Sequence, residues 1–297
     1  MRFATEITLV GPWRRPAQML ADQTYDGHAS VHDDATAAAL GLAGAPIEGP
    51  THFSQFDPLA TALWRDRWFE EGCISCHFQT MVVEGEQVQA SLVSAGGDSA
   101  TISAHNGDGG VVLVGTASVG GANTSELSTR MARSRGEGPF HIVDQLEVGM
   151  RQAVGSVSMS AHESNGHLYP FSLDDKLARI TEPHPYYSDA SESPWGARVV
   201  PFEMISVLAH RRSASFPVRT PSVGLFLDLE VQLVAGPVLV GEEYDVVHEI
   251  VALGQTRKTE SYWTQTTLTS ASSGTVAATV LLHQGVFKHS YPGYPSE

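Results

Sequence analysis

The chain has 297 residues, of which 42% are hydrophobic and 17% charged, so its composition is that of a globular protein and excludes wholesale disorder. Its length allows roughly two ordinary domains. The formal net charge of −15 argues against general nucleic-acid binding, which needs Lys and Arg to neutralise phosphates. No apolar stretch approaches the ~18 residues of a membrane helix. Because the N-terminal segment lacks the layout of a signal peptide, we expect a cytoplasmic protein.

Two helices are predicted in the first part of the chain. Asp33 or Asp34 can cap a short Ala-rich helix that Gly41 ends. A longer helix follows, and Pro58 is expected to kink or restart it. The apolar stripe of that longer helix consists of Phe53, Phe56, Leu59, Leu63 and Trp64.

Strands are predicted next, separated by Gly, Asp and Asn turns. In the first half they cover residues 74–81, 87–95, 100–106 and 110–119. A linker over residues 129–142 is expected to join an N-terminal unit, residues 1–128, to a C-terminal unit, residues 143–297. The strands predicted in the second unit cover residues 224–234, 243–253, 256–269 and 274–284.

The first of these strands contains a C-x-x-C-H sequence, formed by Cys73, Cys76 and His77. This pattern is known from covalent haem attachment, which takes place after export. The segment also alternates as a strand does, with Cys76 on the apolar face, and a free cysteine packs as a small hydrophobic residue. Two cysteines and one histidine are too few for a four-ligand zinc site. Ordinary strand packing is therefore the expected role, with a haem, redox or metal pair as the alternatives.

The two units are predicted to be copies of each other. Residues 26–35 align with residues 181–190 at an offset of 155. The offset also superimposes Gly41 on Gly196, Pro46 on Pro201 and Glu48 on Glu203, and residues 83–86 match residues 239–242 at an offset of 156. Several identities in one order favour a tandem duplication. The predicted fold class is α+β: a helix packed on a curved antiparallel sheet, twice.

The segments 31–35 and 41–47, the helix after them and residues 73–88 resemble the MaoC-like, (R)-specific enoyl-CoA hydratase family. This resemblance implies a tandem double hotdog, in which a curved antiparallel sheet wraps a long helix in each half. In that family a loop with the pattern D-x-N-P-aliphatic-H carries an Asp and a His that activate a water. Backbone N–H groups near the start of the long helix stabilise the enolate oxygen.

The catalytic loop matches this pattern in part in each copy. In the first copy His32 occupies the histidine position, whereas Gly27 stands at the aspartate position and Asp26 precedes it. In the second copy Glu182 stands at the aspartate position and Tyr187 replaces the histidine. The resemblance thus implies His32 as acid or base.

Three groups are candidates for the partner of His32. Asp26 could reach the site through a one-residue shift of the loop, His28 could replace the missing carboxylate, or Glu182 could supply it from the other half. The alternatives are non-catalytic roles: a turn cap for Asp26, an exposed loop position for His28 and a hydrogen bond within the loop for His32.

Substrate-binding residues are expected at the start of the long helix and in the second half. Pro50 has no N–H, so Gly49 or Thr51 would donate to the thioester oxygen, and His52 would face the pocket. Aromatic residues of the second half could line an acyl pocket or belong to the core. They are Tyr186, Tyr187, Trp195, Tyr262 and Trp263.

The leading hypothesis is a hydratase or dehydratase that acts on an acyl or aryl enoyl thioester. A CoA thioester is the expected substrate, and a homodimer is among the expected assemblies. The alternatives are a hotdog thioesterase, a non-catalytic ligand-binding protein, and a dehydratase or isomerase whose substrate is not a thioester. The sequence has no Rossmann or P-loop glycine pattern and no HExxH, so neither a cofactor nor a metal is expected.

Overall fold

The computed structural model describes residues 5–24, 30–121, 125–133 and 138–295. Its strands form one ten-stranded antiparallel sheet, with the order β1-β3-β4-β5-β2-β7-β10-β9-β8-β6. The strands are β1 Ile7–Val10, β2 Gly72–Phe78, β3 Val88–Ser94, β4 Ser99–Asn106, β5 Val111–Val119, β6 Arg151–Ser158, β7 Gly224–Leu233, β8 Glu243–Gln255, β9 Thr259–Ser270 and β10 Val276–Phe287. The α-helices are α1 Asp34–Ala39, α2 Asp57–Trp64, α3 Arg67–Glu71, α4 Glu126–Arg133, α5 Leu173–Leu177, α6 Pro185–Ser188 and α7 Phe202–His210.

The second half repeats the strand order of the first. Reading inward from each edge, the orders are β1-β3-β4-β5-β2 and β6-β8-β9-β10-β7. The halves meet where β2 pairs antiparallel with β7, so that Ile74 lies opposite Val231. The predicted repeat of one α+β unit is therefore visible in the topology, and the sheet continues from one unit into the other.

The eight predicted strands are all present, with ends that differ by a few residues. Alternation and turn residues locate them because each has one face on the core. The edge strands β1 and β6 are not predicted by the sequence pattern. Both lack a regular buried face, since β1 is almost wholly exposed and β6 alternates between exposed and half-buried positions along most of its length, with Val157 its one buried residue.

The two helices predicted in the first part of the chain are present, and the predicted capping and breaking residues mark them. The Asp33 side chain accepts a hydrogen bond from the Thr36 N–H at the start of α1, and Gly41 follows with a φ of +75°. The longer helix is divided into a 3-10 helix, Gly49–Phe56, and α2, which begins at Asp57. Pro58 lies in the first turn of α2, so the chain restarts its helix there, as predicted.

The two cysteines are buried thiols without a disulfide, which confirms their expected packing role. Burial raises the pKa of both thiols well above the usual range, so they remain protonated. The expected alternation is incomplete, however, because Cys73 is buried as well as Cys76. The reason is that β2 is central and α4 covers its other face, where the Leu127 N–H donates to Ser75 Oγ at 3.0 Å.

Residues 129–133, at the start of the predicted linker, belong to α4. Leu127 of this helix packs against Trp263 and Leu281 of the second half. In the described residues no helix is long and apolar enough to cross a membrane.

Gly115 permits the close pairing of β5 with β2. A Cβ at this position would lie 2.0 Å from the Ser75 carbonyl oxygen, which belongs to the neighbouring backbone and cannot rotate away. We expect Gly115→Ala to lower the free energy of unfolding by about 1–3 kcal/mol, as other overpacking changes do. Urea denaturation would measure the loss. Gly107→Ala is the control, because a Cβ there meets nothing within 4 Å. Equal stability of the two variants would contradict the prediction.

Candidate functional site

A cavity of about 440 Å³ lies between the two halves. Its volume is in the range of small-molecule sites. The first half contributes the loop before α1, the start of the 3-10 helix and the end of β2. The second half contributes the end of α7, the start of β7 and parts of β8, β9 and β10. Its polar and aromatic lining residues include His32, Glu48, His52, Phe78, Tyr169, His210, His248, Tyr262 and Gln284.

His32 lines this cavity with a fixed ring orientation. Its Nδ1 lies 2.7 Å from the Pro46 carbonyl oxygen, which can only accept, so Nδ1 carries the hydrogen. Nε2 therefore keeps its lone pair in the neutral ring. Burial lowers the pKa of His32, although the hydrogen bond to Pro46 opposes this effect. The imidazole is consequently neutral near pH 7 and can accept a proton.

The start of the 3-10 helix supplies a backbone donor to the same cavity. Ile47 N–H donates to the Val82 carbonyl oxygen at 2.8 Å and fixes this segment on the sheet. Thr51 N–H donates to the Glu48 carbonyl oxygen, and Pro50 has no N–H. Gly49 lines the cavity, and as the first residue of the helix its N–H has no acceptor within that helix. Of the two donors considered, the geometry favours Gly49.

His52 also lines the cavity, as the sequence predicts. The residue is 2% exposed. Burial, assisted by the charge of Lys176, lowers the pKa of His52 to about 4. His52 is therefore a neutral imidazole at physiological pH, able to form hydrogen bonds but carrying no charge.

The other predicted site residues lie elsewhere or outside the described residues. Asp26 and His28 belong to the segment 25–29, which the structure does not describe. In the described chain Glu182, Thr51, Tyr187 and Trp195 are not among the residues that line the cavity. Glu182 forms an ion pair with Arg14, and Thr51 Oγ1 accepts from Lys176 Nζ at 2.9 Å. The Glu182 carboxylate and the Thr51 hydroxyl therefore have partners other than His32.

The loop of the second copy contributes to a packed aromatic cluster. Phe69 of the first half contacts the rings of His184, Tyr186, Tyr187 and Trp195, with centroids 5.0–6.3 Å apart. The predicted aromatic pocket residues Tyr187, which is buried, and Trp195, which is half-buried, thus pack in this cluster rather than against the cavity. Aromatic rings fill the space beside the second loop because they bury a large apolar surface there.

Tyr187 has a structural partner that supports one prediction. Its hydroxyl donates to Asp57 Oδ2 at 2.6 Å, and Trp68 Nε1 donates to Asp57 Oδ1 at 2.9 Å. Tyr187→Phe leaves a buried carboxyl oxygen without a donor, so we expect the free energy of unfolding to fall by about 1–3 kcal/mol. Thermal or urea unfolding would measure this change.

Tyr186→Phe is the matched control for Tyr187→Phe. The Tyr186 hydroxyl donates to Asp66 at 3.0 Å at an exposed position, where water can replace it. A loss in Tyr187→Phe no larger than in this control would argue against the structural role.

Sequence reasoning missed Glu48 and His210 as cavity residues. The sequence does single out Glu48, because the repeat alignment superimposes it on Glu203, but the alignment alone assigns this glutamate no function. His210 has no local signal, since it ends the apolar helix α7 and reaches the cavity through the packing of the two halves. In the described residues no group of three or more His, Cys, Asp or Glu side chains is placed to hold a metal ion.

Comparison with known proteins identifies the fold. No protein-family model matches the sequence, and no curated protein matches it. Among solved structures, a conserved hypothetical protein from Mycobacterium tuberculosis with a double hotdog fold has a TM-score of 0.60 at 12% identity, covering 97% of both chains. A MaoC domain protein from Chloroflexus aurantiacus, assigned provisionally as a dehydratase, has a TM-score of 0.57 at 14% identity, covering 96% of this chain and 95% of its own.

A further solved structure, a MaoC-like dehydratase, has a TM-score of 0.51 at 14% identity. It covers 96% of this chain and 98% of its own length. At these identities the likeness establishes the fold: the chain is a double hotdog, as the resemblance implied.

Proposed function

We propose that this protein catalyses the reversible hydration or dehydration of an acyl or aryl enoyl thioester, with His32 as the general base. The observation that carries the proposal is the neutral imidazole of His32, whose Nδ1–H is bonded to Pro46 while the ring lines the cavity between the halves. The solved MaoC-like dehydratases with the same fold support this reaction class.

The proposed reaction uses groups on both sides of the cavity. His32 Nε2 accepts a proton from water as the water oxygen attacks the β-carbon. Gly49 N–H donates to the thioester oxygen, where negative charge develops in the enolate. Phe78 and Phe226 contribute apolar surface on which the acyl or aryl group would pack. A CoA thioester is the substrate that we propose.

The family pattern pairs its histidine with a carboxylate. Asp26 and His28 remain candidates in the segment 25–29. Glu182 is a weaker candidate, because its carboxylate is paired with Arg14 and is 14% exposed in that pair. The proposal therefore rests on His32 rather than on an intact aspartate–histidine pair.

The test is incubation of the purified protein with aliphatic and aryl enoyl-CoA esters. Loss of the enoyl absorbance together with formation of the hydroxyacyl-CoA, identified by mass spectrometry, is the expected result. Release of free CoA without loss of the enoyl absorbance would indicate a thioesterase instead. Ligand-induced thermal stabilisation without turnover would indicate a binding protein and would overturn the proposal.

A further inference from the structure

Three ionisable side chains are buried together where the start of the 3-10 helix and the first turn of α7 meet α5. Glu48, Lys176 and Glu203 are 5%, 2% and 1% exposed. Lys176 Nζ lies 3.2 Å from Glu203 Oε2 and donates to Thr51 Oγ1 at 2.9 Å. The two glutamates are the positions that the repeat superimposes, so the duplication brings two equivalent carboxyl groups to one lysine.

The charge of this cluster can be balanced only if one carboxyl group holds a proton. One ammonium neutralises one carboxylate, and a second ionised carboxylate without a cation would be strongly penalised in a buried site. Glu203 is the ion-pair partner of Lys176. Glu48 Oε1 and both carboxyl oxygens of Glu203 have no hydrogen-bond partner among the described residues, but of the two glutamates Glu203 is the one in the ion pair with Lys176. Glu48 also lines the cavity. The proton therefore belongs on Glu48.

The surroundings of Glu48 agree with this assignment. Burial raises the pKa of Glu48 to about 7, Lys176 opposes the rise and Glu203 adds to it. His52, on the 3-10 helix that Glu48 precedes, is neutral and contributes no charge. A carboxyl group that titrates near neutrality can act as an acid or a base at physiological pH.

We infer that Glu48 is the second acid–base residue of the site and delivers the proton to the α-carbon of the enoyl thioester. This inference rests on the proposed function and deepens it. Lys176 and Glu203 act as positioning residues, because their ion pair leaves Glu48 without a cation of its own.

With these two residues, every proton in the reaction has a donor and an acceptor. His32 takes a proton from water, the water oxygen bonds to the β-carbon, and the electron pair of the double bond moves into the enolate. The α-carbon of the enolate then accepts the proton of Glu48, which becomes a carboxylate. Transfer of the proton from His32 to Glu48, directly or through water, restores both groups. The net change is one water added across the double bond.

Two variants test the inference through the pH dependence of kcat/KM. Glu48→Gln is expected to lower kcat/KM by at least about 10²-fold at pH 7 and to remove the loss of activity on the alkaline side. Glu203→Gln leaves Lys176 to interact with Glu48 alone, which favours ionised Glu48. In that variant the alkaline limb is expected to move to lower pH, with activity retained in acid.

Glu163→Gln is the matched control, because Glu163 is a surface carboxylate that is 74% exposed. An unchanged alkaline limb in both Glu48→Gln and Glu203→Gln would overturn the inference. A purely structural role for Glu48 would lower stability without changing the shape of the pH profile.

A second measurement separates failure of this inference from failure of the proposed function. Infrared difference spectra of the wild type and Glu48→Gln, recorded at pH 6, report a protonated carboxyl group directly and need no substrate. A carboxylic-acid band present in the wild type and missing in Glu48→Gln supports the assignment even if no enoyl-CoA is hydrated. Absence of that band from the wild type would refute it even if hydration occurs.

Discussion

Replacement of His32 by alanine is expected to lower kcat/KM for enoyl-CoA hydration by about 10²–10⁴-fold, the usual contribution of one general base. The reason is local: the Nδ1–H of His32 donates to the Pro46 carbonyl oxygen, so Nε2 is the basic nitrogen available in the cavity. Alanine supplies neither the base nor the ordered ring. Initial rates from the enoyl absorbance would measure the loss.

Two further variants decide whether the His32 effect is chemical. His32→Gln keeps a side-chain N–H that can donate to Pro46, but it has no basic nitrogen, so it should be as impaired as His32→Ala. His162→Ala is the control, because that histidine is 85% exposed and is not among the cavity-lining residues. Wild-type rates in His32→Ala would remove the hydratase proposal, whereas recovery of activity in His32→Gln alone would reduce His32 to a structural role.

Asp228→Asn is expected to cause the largest loss of stability. Asp228 on β7 is fully buried, and three cationic or ionisable groups surround its carboxylate. His77 Nδ1 on β2 and Arg130 Nε on α4 lie 2.7 and 2.8 Å from Oδ1, and His283 on β10 bonds to Oδ2. The carboxylate therefore joins both halves and the helix that follows the first half.

Removing one partner of a buried ion pair costs about 3–5 kcal/mol, and because the Arg130 side chain is 35% exposed and keeps part of its hydration, we expect the lower end of this range. Asparagine cannot neutralise Arg130, so we expect the free energy of unfolding at pH 7 to fall by this amount. Asp245→Asn is the matched control, since Asp245 is an exposed aspartate on β8. A loss in Asp228→Asn no greater than in this control would contradict the prediction.

The same network predicts how stability changes in acid. Burial by itself would raise the pKa of Asp228, but hydrogen bonds from His283 and His77 and the charge of Arg130 outweigh it and hold the pKa at about 2. A carboxyl group whose pKa is lower in the folded state stabilises the fold above its unfolded pKa of roughly 3.9. This contribution is lost as the pH falls from about 4 to 2. Urea denaturation should therefore show the gap between wild type and Asp228→Asn narrowing over that range.

Local patterns determined most of the fold. The strand alternation located β2–β5 and β7–β10, and Asp33, Gly41 and Pro58 marked the ends and the restart of the helices. These signals are local because capping, turn geometry and one-sided burial depend on neighbouring residues. The repeat of residues 26–35 predicted the two copies, and the family resemblance singled out His32, which lines the cavity.

The charge state and partners of the site depended on tertiary structure alone. Tyr187 and Glu182 align with the catalytic positions of the family pattern. In the structure, however, the Tyr187 hydroxyl donates to Asp57 and the Glu182 carboxylate pairs with Arg14, both remote in the chain. Glu48 appeared in the sequence as half of a repeated pair, but the burial of its carboxyl group and the pairing of Lys176 with Glu203, on which the inferred neutral acid rests, arise only in the tertiary structure. Burial and pairing set the protonation of a carboxyl group, and both arise from contacts between distant segments that no local pattern records.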